Sequence, residues 1–165
     1  MASKATRDMA TAAGFAFEMG RQMKNYYLVN RPKVKQIHPL LDDLIATAEP
    51  VLVYFRNQLD LGDLKYISNK VDNFNSRAEN RDMNGIVYVG LVIGQVSERV
   101  CELNERNGNP DKIAKLESIL SPLQALYQYF EQRMKRPELE AQVSQLFTTW
   151  EEAKQDEAPR RMVAA

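Results

Sequence analysis

Residues 85–103 read GIVYVGLVIGQVSERVCEL, and the fold class turns on whether this stretch is strand or helix. Its first half is β-branched and apolar on every side: Ile86-Val87-Tyr88-Val89 is followed closely by Leu91-Val92-Ile93, and Asn84-Gly85 just before them is a hairpin-turn signal. A strand here needs a partner, and Val51-Leu52-Val53-Tyr54-Phe55 is the candidate, giving a strand–helix–strand unit. Against this, Ile86, Val89, Ile93, Val96, Val100 and Leu103 keep steps of three and four, which is one helix face sustained for about five turns. The helix accounts for the whole stretch and the strand for half of it. A helix apolar all round belongs at the centre of a bundle, and residues 85–103 are expected there.

The same spacing recurs on both sides. Towards the N-terminus, Leu64, Ile67, Val71, Phe74 and Ala78 follow Gly62-Asp63, with Asp63 read as the cap. Leu41, Leu44, Ala48, Val51 and Phe55 follow His38-Pro39, and Met9, Ala12, Ala16, Met19, Met23 and Tyr26 form a stripe near the start. Towards the C-terminus, Asn109 caps a segment opened by Pro110, in which Ile113, Leu116, Leu120, Leu123, Tyr127, Phe130 and Met134 alternate threes and fours. Leu139, Val143, Leu146 and Trp150 follow Pro137. Pro50 and Pro122 each remove a backbone hydrogen bond inside a periodic segment, so kinks are expected near both. The expected architecture is an all-α antiparallel bundle of five to seven helices, six as the polar links divide it, with residues 1–155 as one domain and 156–165 as a flexible C-terminal tail.

Composition narrows function by elimination. The chain has 165 residues, with 22 basic and 22 acidic side chains, so bulk charge names no partner. A single cysteine, Cys101, precludes an internal disulfide; beside Val100 and Leu103 it is read as buried, and a cytoplasmic home is expected. The apolar run Met9–Phe17 lacks a cleavage site and is read as part of the first helix, and no run reaches the ~20 apolar residues of a membrane span. One histidine excludes sites that need two, including the common zinc hydrolases and two-histidine di-iron bundles. There is no Gly-x-Ser-x-Gly elbow and no phosphate-binding P-loop, and Gly85, Gly90 and Gly94 have the wrong spacing for a dinucleotide loop. No catalytic residue, metal ligand or cofactor is assigned. An apolar pocket between helices reads like core and stays open.

Arg31 and His38 are seven apart, with Asp42 and Asp43 a turn beyond. The pair resembles the HEPN nucleases, whose motif places a histidine a few residues after an arginine on a helix; here Pro32 directly follows the arginine. The resemblance covers two residues and implies a helical ribonuclease acting as a dimer. The residues by themselves have another reading, in which His38 precedes Pro39 at a helix start and the aspartates are first-turn acids.

Charge is placed unevenly. Residues 1–36 carry seven basic against two acidic side chains, net +5, and residues 137–157 carry one against six, net −5. Within the basic part, Arg21, Lys24, Tyr27, Arg31, Lys33 and Lys35 are the candidate interaction residues, since cations interleaved with tyrosine can follow a polyanion. Tyr26 is assigned to the core stripe and Tyr27 to the surface. Phe15 and Phe17, among Ala10, Ala12, Ala13, Gly14, Ala16 and Gly20, form a second candidate surface, for self-association. The ending Arg160-Arg161-Met162-Val163-Ala164-Ala165 resembles bacterial degradation tags and implies bacterial or phage origin. The leading expectation is a non-enzymatic protein-interaction module: an adaptor, assembly subunit or inhibitor. A nucleic-acid-associated subunit using the basic first helix is the alternative, and the HEPN-like ribonuclease a second.

Overall fold

The computed structural model describes the backbone of residues 4–80, 85–106 and 108–148, with side chains from residue 6 onward except those of 74–80 and 85. The tail 156–165, Trp150 and Asn84 lie outside the described residues. The elements in order are α1 (Lys4–Asn30), α2 (Ile37–Arg56), α3 (Leu61–Asn80), α4 (Gly85–Glu105), α5 (Pro110–Glu117) and α6 (Leu120–Gln132), and the backbone of 136–148 is also helical. The fold is all-α, with no strand among the described residues. Residues 85–103 are helix, as their sustained spacing requires.

Four helices form a closed ring: α1 packs on α2, α2 on α6, α6 on α4, and α4 on α1. α3 lies on the outside of α1, and α5 on α4. The centre therefore belongs to α1 and α4 jointly, rather than to α4 alone. Ile86–Val89, Leu91 and Val92 are buried around α4, and Met9 through Ala16 are buried around α1 without a gap. Gly14 explains how α1 accommodates two neighbours: a Cβ there would lie 3.0 Å from a methyl of Val71 in α3 and 3.9 Å from one of Leu52 in α2. Gly20 meets Ile45 and Leu44 of α2 in the same way. These pairings descend along α2 as they ascend along α1, so the two helices are antiparallel.

Several boundaries differ from expectation for local reasons. α2 begins at Ile37, two residues before Pro39, whose missing N–H falls in the first turn where no partner is needed. Pro50 lies inside α2, which continues through it. Asp60, not Asp63, caps α3: the Asp63 N–H donates to the Asp60 carboxylate at 2.9 Å, and the Asp60 N–H donates to the Asp63 carboxylate at 3.4 Å. This reciprocal pair is a capping box, and it holds the Asp60 carboxyl below its usual 3.8. Asn109 caps α5 as expected, accepting from the Asp111 N–H at 2.8 Å with Pro110 at the first helical position.

Near Pro122 the helix splits rather than kinks. A turn at Ser118-Ile119 separates α5 from α6, and Pro122 falls in the first turn of α6. The split rotates the buried face: Leu116, Ile119, Leu123, Leu126, Tyr129 and Phe130 are buried, while Leu120 and Tyr127 are only half-buried. Cys101 is exposed, a correction to its assignment to the core. The buried line of α4 passes through Val96, Val100 and Leu103, and Cys101 stands one residue, about 100°, round from it.

Candidate interaction surface

The last two turns of α1, the link after it and the end of α6 meet at one end of the ring. α1 stops at Asn30 because Pro32 disfavours helical backbone at Arg31 and has no N–H to donate. Its open carbonyls are partly met locally: the Arg31 N–H donates to the Tyr27 carbonyl at 3.0 Å, and the Asn30 amide to the Tyr26 carbonyl at 3.1 Å. In the link, Val34 packs against the core while Lys33 and Lys35 on either side of it are exposed. One apolar residue thus seats the link and leaves its neighbouring cations in solvent.

Arg133, at the end of α6, joins this link to the ring. Its guanidinium lies 3.6 Å from the centre of the Tyr129 ring, donates to the Tyr129 carbonyl at 3.0 Å, and donates to the Gln36 side-chain oxygen. Beside it, Tyr27 is half-buried and meets Tyr26 edge-to-face, with ring centres 5.4 Å apart. Burial pushes the Tyr27 hydroxyl up from its usual 10.0 and nearby Tyr129 adds to this, while Arg31 and Arg133 pull the other way. The basic link and the basic run Arg133-Met134-Lys135-Arg136, about a hundred residues apart in sequence, therefore share one end.

The candidate residues fall into three groups. Arg31, Lys33 and Lys35 are exposed at this end and have no ionic partner among the described residues; Lys135 is alike. Arg21 and Lys24 lie further back on α1 and are paired, Arg21 with Glu18 at 3.3 Å and Lys24 with Asp42 of α2 at 2.5 Å. Phe15 is 7% exposed and belongs to the core, and Phe17 is half-buried beneath Arg21, 5.7 Å from ring to guanidinium. The small-residue face of α1 that frames Phe15 is covered by α2, α3 and α4 of the same chain. The two tyrosines exchange the assigned roles: Tyr26 is 48% exposed and Tyr27 packs inward, because the stripe steps four residues from Met23 instead of three.

Arg31 lies in the link and His38 on the second residue of α2, so the pair does not share a helix as in the nuclease motif it resembles. Asp42 is occupied by Lys24. Among the described residues, no group of three or more His, Cys, Asp or Glu side chains is placed to hold a metal, and no helix is long and apolar enough to cross a membrane. An open depression of about 520 Å³ between the end of α4 and α5, lined by Asn104, Gly108, Pro110, Ile113, Ala114 and Glu117, offers no cluster of converging polar groups.

The chain matches no protein-family model, no curated protein and no solved structure. Sequence reasoning missed Arg133, Lys135, Leu28 and Val29. The signal for the first two was present, three cations within residues 133–136, but nothing local to that run connects it to residues 31–36.

Proposed function

We propose that the protein is a non-enzymatic interaction module, an adaptor, assembly subunit or inhibitor of bacterial or phage type, whose working surface is the cationic end of the bundle. The observation that carries this is the joining of two basic segments at Gln36–Arg133, with Arg31, Lys33, Lys35 and Lys135 left without ionic partners among the described residues. Cations on a folded surface that the protein itself does not neutralise favour an acidic partner and speed its approach. A lone, exposed thiol at Cys101 suits a reducing compartment, in keeping with a cytoplasmic setting.

The test is co-purification from the native cell at moderate salt, with the wild-type chain beside Arg31→Glu/Lys33→Glu/Lys35→Glu. A stoichiometric protein that co-elutes with the wild type and is lost from the variant supports the proposal. Equal recovery with the variant rejects this surface. Exposed Tyr26 among cations favours one second reading, a nucleic-acid accessory subunit. Its sign is co-eluting nucleic acid whose affinity falls steeply as salt rises.

A further inference from the structure

Three apolar side chains stand in solvent within one turn of α1: Tyr26 is 48% exposed, Leu28 55% and Val29 70%. At 100° per residue they occupy one arc on the side opposite Tyr27, with Val29, the most exposed, in the middle. Exposed cations follow this arc along the chain, Arg31 and Lys33, while Arg21 before it is exposed but paired with Glu18. An apolar centre with a charged rim is the layout of a protein–protein contact. Resting on the reading of this end as the working surface, we infer that its partner is an acidic amphipathic polypeptide segment, with carboxylates flanking two or three apolar side chains.

The chemistry of the arc separates this partner from other polyanions. Nucleic-acid interfaces are more polar and more positive than protein interfaces, and single strands are held by aromatic platforms. Here the most exposed side chains are aliphatic, and the Tyr26 ring is already engaged edge-to-face with Tyr27 at 86°. An anionic membrane surface would need the apolar face to run along the helix. One turn earlier the same side of α1 carries Arg21, Gln22 and Asn25, so the apolar arc is a single turn long. A short segment inserting two or three side chains matches that extent, with rim charges steering its approach.

The test is fluorescence anisotropy at about 0.15 M salt with two labelled probes, an acidic amphipathic peptide with Leu and Phe at helical spacing among glutamates, and a single-stranded thymidine oligonucleotide. Sedimentation with phosphatidylserine vesicles is the third arm. The expected result is tightest binding to the peptide, weakened about tenfold in Leu28→Ser/Val29→Ser and lost in Lys33→Glu/Lys35→Glu, with the circular dichroism of both variants unchanged. Tighter binding to the oligonucleotide or the vesicles overturns the inference, as does undiminished peptide binding by the serine variant. If the glutamate variant then loses the oligonucleotide or the vesicles, the cationic end still stands as the working surface. Binding of no probe removes both the inference and the assignment of this surface.

Discussion

The two halves of α1 belong to one continuous helix and have opposite surroundings. In the first half the residues are mostly small, every position from Met9 to Ala16 is buried, and three other helices cover it. Arg7 and Asp8 meet opposite charges across the bundle: Arg7 faces Asp63 of α3 at 3.6 Å, and Asp8 faces Arg99 of α4 at 3.7 Å. In the second half the side chains are large, Tyr26, Leu28 and Val29 are exposed, and the cations of the following link have no ionic partner among the described residues. The first half combines small side chains with cross-helix ion pairs that are largely shielded from water; the second combines large exposed apolar groups with a cross-helix pair, Lys24–Asp42, that stands in solvent.

The sharpest way to break this comparison is to place the same side chain in both halves. Gly14→Leu forces a branched chain into space where even a Cβ would meet Val71 at 3.0 Å, and is expected to cost about 3 kcal/mol in urea denaturation. Asn25→Leu, at an exposed position of the second half, is expected to stay within about 0.5 kcal/mol. Equal losses would show that the halves are structurally equivalent after all.

Charge pairs offer the next contrast. Asp63→Ala strips the carboxylate from Arg7 and the acceptor from the Asp60 N–H, with an expected loss of about 2 kcal/mol by thermal unfolding. Lys24→Ala breaks an ion pair whose members are 39% and 54% exposed, and the expected loss is below about 1 kcal/mol.

The smallest effect concerns Tyr27, where the second half still touches the core. Burial raises its folded pKa above the usual 10.0, so the phenol's contribution to stability is complete below that pH and is lost as pH climbs through the raised value. Tyr27→Phe is expected to change stability little at neutral pH and to flatten its fall on the alkaline side, read by melting temperature as pH is raised past 10.0. An identical alkaline profile for both proteins would place the Tyr27 hydroxyl in water.

The helical class was legible because the 3,4 spacing of α4 outlasts its β-branched start. The inner face was less so wherever two stripes satisfy the same spacing. From Met23 a step of three reaches Tyr26 and a step of four reaches Tyr27, and the spacing alone does not separate them; Tyr27 is the one that packs against the core, near Tyr129 and Arg133 from far along the chain. In α5 and α6 the line through Leu120 and Tyr127 and the line through Ile119 and Leu126 both alternate threes and fours, and the turn at Ser118-Ile119 selects the second. The cations of the link were visible as charge, but their junction with Arg133 was not, because hydrophobic periodicity carries no record of which helix ends meet. Phe15 looked available for a partner because its small neighbours permit close packing, which α2 and α3 of the same chain already use.

The contact between Gln36 and Arg133 spans 97 residues, and this sets a schedule. A ribosome adding about 5–20 residues each second needs roughly 5–20 s to travel from one to the other. During that interval the link exists with only half of its positive neighbours, and Gln36 has no arginine to receive. The junction of the two basic segments, proposed above as part of the working surface, is thus completed late, after α6 has emerged and docked.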